Sequence, residues 1–210
     1  MTTMDRFKGT GVAIVTPFLN YSIDYDALGR VLNHCISGGV DYIVSLGTTG
    51  ESPTLSNDEK RAILDFTIEF VNGRTPIVAG NFGGNNTQAV CDYIDQFDFT
   101  GIDAILSSSP AYNKPSQEGL YLHYSKIAEH SPRPVIIYNV PGRTSSNITA
   151  ETTLRIAHDN SNIIGIKEAS ADLAQSSKII NGKPENFLVL SGDDPTALEM
   201  ILSGGDVSYR

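Results

Sequence analysis

The sequence predicts an α/β fold in which short parallel strands alternate with longer helices. Apolar runs rich in β-branched residues recur along the 210 residues, and a stretch with helical periodicity follows each of them. The hydrophobic fraction of 40% and the charged fraction of 19% are those of a globular protein with a sizeable core. No linker or low-complexity stretch interrupts the pattern, so we expect one domain over residues 1–210.

The predicted strands read as nearly continuous apolar runs, as parallel strands covered by helices do. In chain order they are 12–15, 42–46, 77–79, 102–106, 135–138, 163–166 and 187–190. Helical patterns fill the intervals between them, at 24–37, 56–72, 86–99, 116–130, 149–159, 172–180 and 195–202.

Residues with known end-capping chemistry mark several of these boundaries. Ser56 and Glu59 form the sequence signature of a capping box, which predicts that the second helix begins there. Gly38 and Gly39 end the first helix, because glycine adopts the left-handed conformation needed after a helix terminus. Asp194 followed by Pro195 reads as an N-cap and first helical residue, which predicts the start of the last helix.

Repeated strand–helix units form either an open doubly wound sheet or a TIM (β/α)8 barrel. No strand is followed by the glycine-rich phosphate-binding patterns that mark nucleotide-binding open sheets. Polar residues instead follow the carboxyl ends of several strands, where barrels place their active sites. The barrel is therefore the predicted architecture.

The composition also excludes several classes of partner. The net charge is −9, and no run of Lys or Arg is present, which argues against nucleic acid and against a basic membrane-surface helix. The apolar runs are too short to span a bilayer, and the first residues do not resemble a signal peptide, so we expect a cytoplasmic protein. Cys35 and Cys91 are expected to be reduced core residues.

Lys167 carries the strongest indication of chemistry, because it closes the apolar run 163–166. A lysine at the mouth of a barrel is desolvated, which lowers its pKa and frees the neutral amine to form a Schiff base with a carbonyl. The alternative is a structural ion pair with Glu168 or another carboxylate.

Tyr138 ends the preceding strand and would lie beside Lys167, where a phenol can transfer protons. Arg143 follows on the next loop and could bind a substrate carboxylate. The alternatives are a core tyrosine with a satisfied hydroxyl and a solvated surface arginine.

Two further loops follow strand ends. In the turn 47–51, Thr48 and Thr49 could hold a carboxylate through hydroxyl and backbone N–H groups, with Glu51 fixing the loop, although a simple tight turn is equally consistent. Tyr112 lies on a proline-bracketed loop and could reach a site or a neighbouring subunit, although a surface tyrosine is the more common case.

The segment 191–194 ends the seventh predicted strand, and its carboxylates could contact a ligand, although capping the next helix suffices to explain Asp194. The four histidines are scattered on predicted helices, and no metal-ligand spacing is present.

Five motifs in order resemble the dihydrodipicolinate synthase family over residues 9–205. They are 47–51 (GTTGE), 112–115 (YNKP), 138–144 (YNVPGRT), 165–169 (GIKEA) and 191–194 (SGDD). Thr48, Thr49 and Arg143 favour this family over the related N-acetylneuraminate lyases and sugar-acid aldolases.

The resemblance implies a role for each matching residue. Lys167 would form a Schiff base with pyruvate, whose enamine attacks L-aspartate 4-semialdehyde on the route to lysine and diaminopimelate. Tyr138 would donate and accept protons. Thr48 would relay them between Tyr138 and Tyr112, the latter supplied by a neighbouring subunit.

The substrate-binding residues follow from the same resemblance. Thr48 and Thr49 would hold the pyruvate carboxylate, Arg143 the carboxylate of the semialdehyde, and Gly192 would contact substrate. The family implies a homotetramer, built as a dimer of dimers, that needs no metal or organic cofactor.

Two departures from the family carry expectations. Lysine-inhibited members have other residues where this chain has Asn57, Lys60, Ala89 and Ala111, so we expect weak or absent inhibition by lysine. The family continues beyond Gly205 with an eighth strand and three helices, and a complete barrel needs about 250 residues. The sequence therefore predicts a barrel that stops before its eighth strand, and a catalytically silent fragment is the alternative to an active enzyme.

Overall fold

The structure, a computed structural model, describes residues 4–208 and is organised around a sheet of eight parallel strands. The described residues contain ten strands, of which eight form this sheet. In chain order they are β1 (Gly11–Ala13), β2 (Phe18–Leu19), β3 (Ser22–Ile23), β4 (Tyr42–Ser45), β5 (Ile77–Ala79), β6 (Ala104–Ser108), β7 (Val135–Asn139), β8 (Ile163–Glu168), β9 (Leu188–Ser191) and β10 (Val207–Ser208). The sheet has the order β1-β4-β5-β6-β7-β8-β9-β10, while β2 and β3 form a separate antiparallel hairpin that the sequence did not predict.

Helices alternate with these strands, as predicted. They are α1 (Tyr25–Ser37), α2 (Asn57–Val71), α3 (Thr87–Gln96), α4 (Gln117–His130), α5 (Pro141–Thr144), α6 (Ala150–Asp159), α7 (Leu173–Gly182) and α8 (Ala197–Leu202). None of the helices within residues 4–208 has the length and apolar character needed to cross a bilayer.

The capping chemistry explains where these helices begin and end. Before α2, the Ser56 N–H donates to the Glu59 carboxylate at 2.8 Å and the Glu59 N–H donates to the Ser56 hydroxyl at 3.2 Å, which confirms the predicted capping box. After α1, Gly39 adopts the predicted left-handed conformation at φ 80°.

The predicted start of the last helix is wrong. Asp194 is not its N-cap but the first residue of a 3₁₀ turn, Asp194–Thr196, and α8 begins only at Ala197. The carboxylate of Asp193 accepts a hydrogen bond from the Thr196 hydroxyl at 2.9 Å and so closes this turn. Asp194 is thereby left exposed at the carboxyl end of the sheet.

The sheet separates two apolar clusters, because successive residues of a strand point to opposite faces. One cluster joins strand residues such as Ile43 and Ile137 to helix residues such as Leu32. The other contains strand residues such as Val44 and Ile136 together with Phe7 and Val140, and it fills the interior that the curled sheet encloses. This two-layer core is that of a TIM barrel and confirms the predicted fold class.

The prediction that the chain stops before an eighth strand is wrong in one detail. Val207 and Ser208 pair in parallel with Leu190 and Ser191 and so begin that strand. Asp206 positions them, since its N–H donates to the Val189 carbonyl and its carboxylate accepts the Val189 N–H, each at 2.9 Å. Within residues 4–208 no ladder joins β10 to β1, so the barrel is open between them.

Candidate active site

The carboxyl ends of the parallel strands open onto a cavity of about 410 Å³. Six of the seven predicted site residues lie in its wall, which is where a TIM barrel places its active site. The predicted residues in the wall are Thr48, Thr49, Tyr138, Arg143, Lys167 and Gly192, and their neighbours include Ala13, Val44, Leu106, Asp193 and Asp194.

Lys167 lies opposite Tyr138 in the β7–β8 ladder. Its Nζ is 4.6 Å from the centre of the Tyr138 ring, and the side chain is only 8% exposed. Burial, assisted by the positive charge of Arg143 and opposed by Asp194, lowers the pKa of Lys167 from 10.5 to about 8. At neutral pH more of this amine is therefore neutral, and able to attack a carbonyl, than of an ordinary lysine.

The alternative of an ion pair between Lys167 and Glu168 is not supported. Adjacent residues of a strand point to opposite faces, so Glu168 faces away from the cavity. Its carboxylate accepts hydrogen bonds from Asn139, the Ser170 N–H and Gln175.

Tyr138 is buried at the end of β7, and its phenol interacts with Thr48 and Arg143. Burial raises the pKa of Tyr138, while hydrogen bonds from Thr48 and Arg143 act in the opposite direction. The phenol is therefore protonated at neutral pH, yet two polar groups are in place to stabilise its oxygen when it gives up the proton. These are the properties of a proton donor and acceptor.

The turn that carries Thr48 and Thr49 follows β4 and is tightly held. The Gly50 N–H donates to the Gly47 carbonyl at 3.1 Å, and the Thr16 hydroxyl donates to the Gly50 carbonyl at 2.7 Å. Glu51 contributes through its backbone, because its carbonyl accepts bonds from the N–H and the hydroxyl of Thr54. The turn thus places Thr48 and Thr49 in the cavity wall on a fixed backbone.

Gly192 lies directly against Lys167. A Cβ atom at this position would come within 2.8 Å of Lys167 Cγ and 2.9 Å of its Cε, so only glycine leaves room for the lysine side chain. Gly192 thus makes space for the lysine side chain, and the substrate contact that the resemblance implies for it stays a prediction.

Tyr112 is the one predicted site residue that the structure leaves outside the cavity. Its side chain is 87% exposed, its backbone has φ 69°, and its N–H donates to the Thr144 carbonyl at 2.8 Å. The expectation that it serves a neighbouring subunit stays a prediction.

Asp194 is the wall residue that sequence reasoning set aside. It was explained as a helix cap, yet it faces the cavity closely enough to act on the pKa of Lys167. Its position just past the carboxyl end of a buried strand was the signal that could have found it.

Within the described residues, no three His, Cys, Asp or Glu side chains form a metal-ligand set.

The chain matches the model of the dihydrodipicolinate synthetase family over residues 6–208. The chain belongs to this family. It is 55% identical over 203 residues to the 4-hydroxy-tetrahydrodipicolinate synthase of Flavobacterium psychrophilum, and this alignment covers 96% of the chain and 69% of that relative.

Solved structures of dihydrodipicolinate synthases have the same fold. The enzyme from Thermotoga maritima superposes with a TM-score of 0.94 at 39% identity, covering 98% of this chain and 70% of that one. The chloride-inhibited enzyme from Acinetobacter baumannii, complexed with pyruvate, superposes with a TM-score of 0.91 at 41% identity, covering 97% and 69% respectively.

A second cavity, of about 320 Å³, shares no lining residue with the first. Asn57, Lys60 and Ala89 line it. Ala111 exchanges backbone hydrogen bonds at 2.7 and 2.9 Å with the side chain of Asn85, which also lines this cavity. The four positions at which we expect a departure from lysine-inhibited members of the family are therefore neighbours in space.

We expect free L-lysine to inhibit the condensation weakly or not at all. Lys60 lines the second cavity, and its positive charge opposes entry of a cationic amino acid. Initial rates with and without L-lysine, with D-lysine as the control for ionic strength, check this. Strong inhibition by the L-isomer alone would show the expectation to be wrong.

Proposed function

We propose that this site condenses pyruvate with L-aspartate 4-semialdehyde, the 4-hydroxy-tetrahydrodipicolinate synthase reaction of lysine and diaminopimelate biosynthesis. The observation that carries the proposal is the buried Lys167 amine, 4.6 Å from the Tyr138 ring in a cavity at the carboxyl ends of the strands. Membership of the dihydrodipicolinate synthetase family supports the choice of substrates.

In the first half-reaction, the neutral Lys167 amine attacks the keto carbon of pyruvate and forms a carbinolamine. The Tyr138 phenol protonates the departing hydroxyl, so that water leaves and an imine forms. Loss of a methyl proton then converts the imine into an enamine. Thr48 and Arg143, which interact with the Tyr138 phenol, stabilise its oxygen between these proton transfers.

In the second half-reaction, the enamine carbon attacks the aldehyde of the semialdehyde, and the resulting alkoxide takes up a proton. The α-amino group of the same substrate then attacks the imine carbon and displaces Lys167, which returns to its free form. The carbon–nitrogen bond to the enzyme is thus replaced by the ring bond of the product. No redox change occurs, and the proposal requires no metal or organic cofactor.

Two groups in the cavity wall suit the substrate carboxylates. The Thr48–Thr49 turn offers hydroxyl and backbone N–H donors to the carboxylate of pyruvate. Arg143 offers a guanidinium group to the carboxylate of the semialdehyde.

Tyr112 has its place in the proposal as a group delivered to the site of a neighbouring copy. Its ring is 87% exposed, and the backbone N–H bond to Thr144 fixes its loop to the segment that carries Arg143. We propose a homo-oligomer, a tetramer built as a dimer of dimers, in which this residue extends the proton relay of the partner. The free cysteines Cys35 and Cys91 suit a reducing compartment, and we place the reaction in the cytoplasm.

The rate of Schiff-base formation is expected to rise with pH and to level off above about 8. Only the neutral amine attacks pyruvate, and its fraction grows as the pH passes the lowered pKa of Lys167, about 8. The measurement is the second-order rate of borohydride-trapped adduct at low pyruvate, which reports the free enzyme. A rate that keeps rising until the pH approaches 10.5, the ordinary pKa of a lysine, would contradict this expectation.

The choice of acceptor tests the reaction itself. The protein is given pyruvate with either L-aspartate 4-semialdehyde or a sugar-acid aldehyde, and product is followed by mass spectrometry. The proposal predicts condensation with the semialdehyde. Preference for the sugar-acid aldehyde would reassign the chain to the related aldolases, and no product with either acceptor from folded protein would mark it as catalytically silent.

A further inference from the structure

Glu168 is a carboxylate buried beside the reacting residues without facing the cavity. It is 1% exposed and follows Lys167 in β8. Burial of a carboxylate is costly unless hydrogen bonds replace its lost hydration. The groups that provide those bonds therefore matter to the local structure.

Neutral donors surround both carboxylate oxygens of Glu168. Oε1 accepts from the Ser170 N–H at 2.7 Å and from Asn139 Nδ2 at 3.2 Å. Oε2 accepts from Asn139 Nδ2 at 2.9 Å and from Gln175 Nε2 at 3.0 Å. The carboxylate thus joins β7, the turn after β8 and helix α7.

The same cluster closes the segment 140–148 onto the end of β7. Asn139 Oδ1 accepts the Ile148 N–H at 3.0 Å, and Asn139 Nδ2 donates to Asn147 Oδ1 at 2.9 Å. Asn147 and Gln175 exchange two further bonds, at 2.9 and 3.1 Å. Arg143 lies within this segment, so both ends of its loop are tied to one polar cluster.

The register of β7 and β8 links this cluster to the site. Tyr138 pairs with Lys167, and the next pair along is Asn139 with Glu168. Because side chains alternate, Tyr138 and Lys167 face the cavity, whereas Asn139 and Glu168 face the helices. The two pairs are adjacent along the backbones of β7 and β8. A shift of Asn139 and Glu168 would therefore also move Tyr138 and Lys167.

We propose that Glu168, Asn139, Gln175 and Asn147 are positioning residues that hold Tyr138, Lys167 and Arg143 in their reacting arrangement. The cluster keeps the two strand ends in register and fixes the loop that carries Arg143 beside the amine. Its effect on catalysis rests on the proposed function, whereas its effect on the loop does not.

Loosening the loop 140–148 would change the pKa of Lys167, which a general loss of stability would not do. The groups near Lys167 include Tyr138 from β7, Arg143 from α5 and Asp194 from the turn after β9. If Arg143 moves away, its positive charge no longer favours the neutral amine, while Asp194 still favours the ammonium. Adduct formation then requires a higher pH.

The test exchanges the carboxylate and the amide between the two strands. Glu168→Gln puts an amide N–H group where the surrounding N–H donors need an acceptor. Asn139→Asp puts a second carboxylate against Glu168. Each single variant therefore breaks the cluster. The double variant restores one carboxylate and one amide across the ladder. Asn162→Asp is the matched control, because Asn162 donates to the Ala128 and Ser131 carbonyls at 3.1 and 2.9 Å next to the opposite end of β8.

Three readouts are compared: the pH dependence of the pyruvate adduct, the kcat and KM of condensation, and amide hydrogen exchange in residues 140–148. We expect each single variant to shift the pH dependence upward, to lower kcat/KM by about tenfold or more, and to speed exchange in this segment. The double variant should recover about tenfold of that loss, a coupling of ordinary size for one hydrogen-bond network. Asn162→Asp should lower the melting temperature and leave all three readouts unchanged.

The inference is overturned if the single variants lose only thermal stability, or if the double variant is no better than the worse single one. Hydrogen exchange in residues 140–148 tests the positioning role even in protein that has no catalytic activity. If the unaltered protein forms no pyruvate adduct, the proposed function fails, while unchanged exchange in the single variants removes the positioning role.

Discussion

Replacing Lys167 with alanine is expected to abolish the pyruvate adduct and to lower kcat by at least about a thousandfold, as loss of a covalent nucleophile does. The fold should be kept, because the side chain borders the cavity at the barrel mouth and its removal leaves both apolar clusters intact. Borohydride trapping, steady-state turnover and thermal unfolding on the same preparation measure all three properties.

Lys178→Ala is the control for this substitution, since Lys178 lies exposed on helix α7 and its removal should leave adduct and turnover intact. A Lys167→Ala protein that still accumulated the reduced adduct would show that another amine is the nucleophile. One that failed to fold would show that the buried lysine stabilises the barrel, contrary to expectation.

Replacing Tyr138 with phenylalanine is expected to lower kcat by about a hundredfold to ten-thousandfold, the usual contribution of a positioned proton donor. Only the hydroxyl is removed, so the ring still covers the Lys167 amine at 4.6 Å and the cavity keeps its shape. The KM for pyruvate should change little, because Thr48, Thr49 and Lys167 remain. Steady-state kinetics against both substrates measures the division between kcat and KM.

Tyr124→Phe provides a matched loss of a buried phenol away from the site. The Tyr124 hydroxyl donates to the Ser107 carbonyl at 3.2 Å and lies 3.3 Å from the Ser109 hydroxyl, so its loss should lower stability and spare turnover. If Tyr138→Phe turned over at the rate of the unaltered protein, the proton-transfer role would be wrong.

Much of the fold could be predicted because the relevant signals are local. The apolar runs of β7 and β8 and the capping box before α2 each lie within a few residues of the element they define. Strand β6 was predicted two residues early, since the apolar run begins at Ile102 whereas the ladder continues through Ser107 and Ser108, opposite Ile137 and Tyr138. Ladder partners decide that boundary, and they lie about 30 residues away in the chain.

The reacting residues were also accessible from sequence, because a barrel gathers whatever follows the carboxyl ends of its strands. That rule alone places Lys167, Tyr138 and the Thr48–Thr49 turn around one cavity. The resemblance to a known family then assigned roles that position cannot supply.

Contacts between segments distant in the chain were not accessible. Nothing local to Gly192 indicates that its missing Cβ makes room for Lys167. The Glu168 cluster likewise draws on β7, β8, α7 and the loop before α6, and its residues read individually as ordinary polar positions. Such arrangements depend on packing that forms only when the sheet and helices come together.

The proposed function depends above all on Lys167 as the Schiff-base nucleophile. The most direct measurement is to incubate the protein with pyruvate and borohydride, digest it, and map the added mass by peptide mass spectrometry. We expect a single pyruvate-derived addition, on the peptide that contains Lys167. Folded protein without any addition, or with the addition on another lysine, would contradict it.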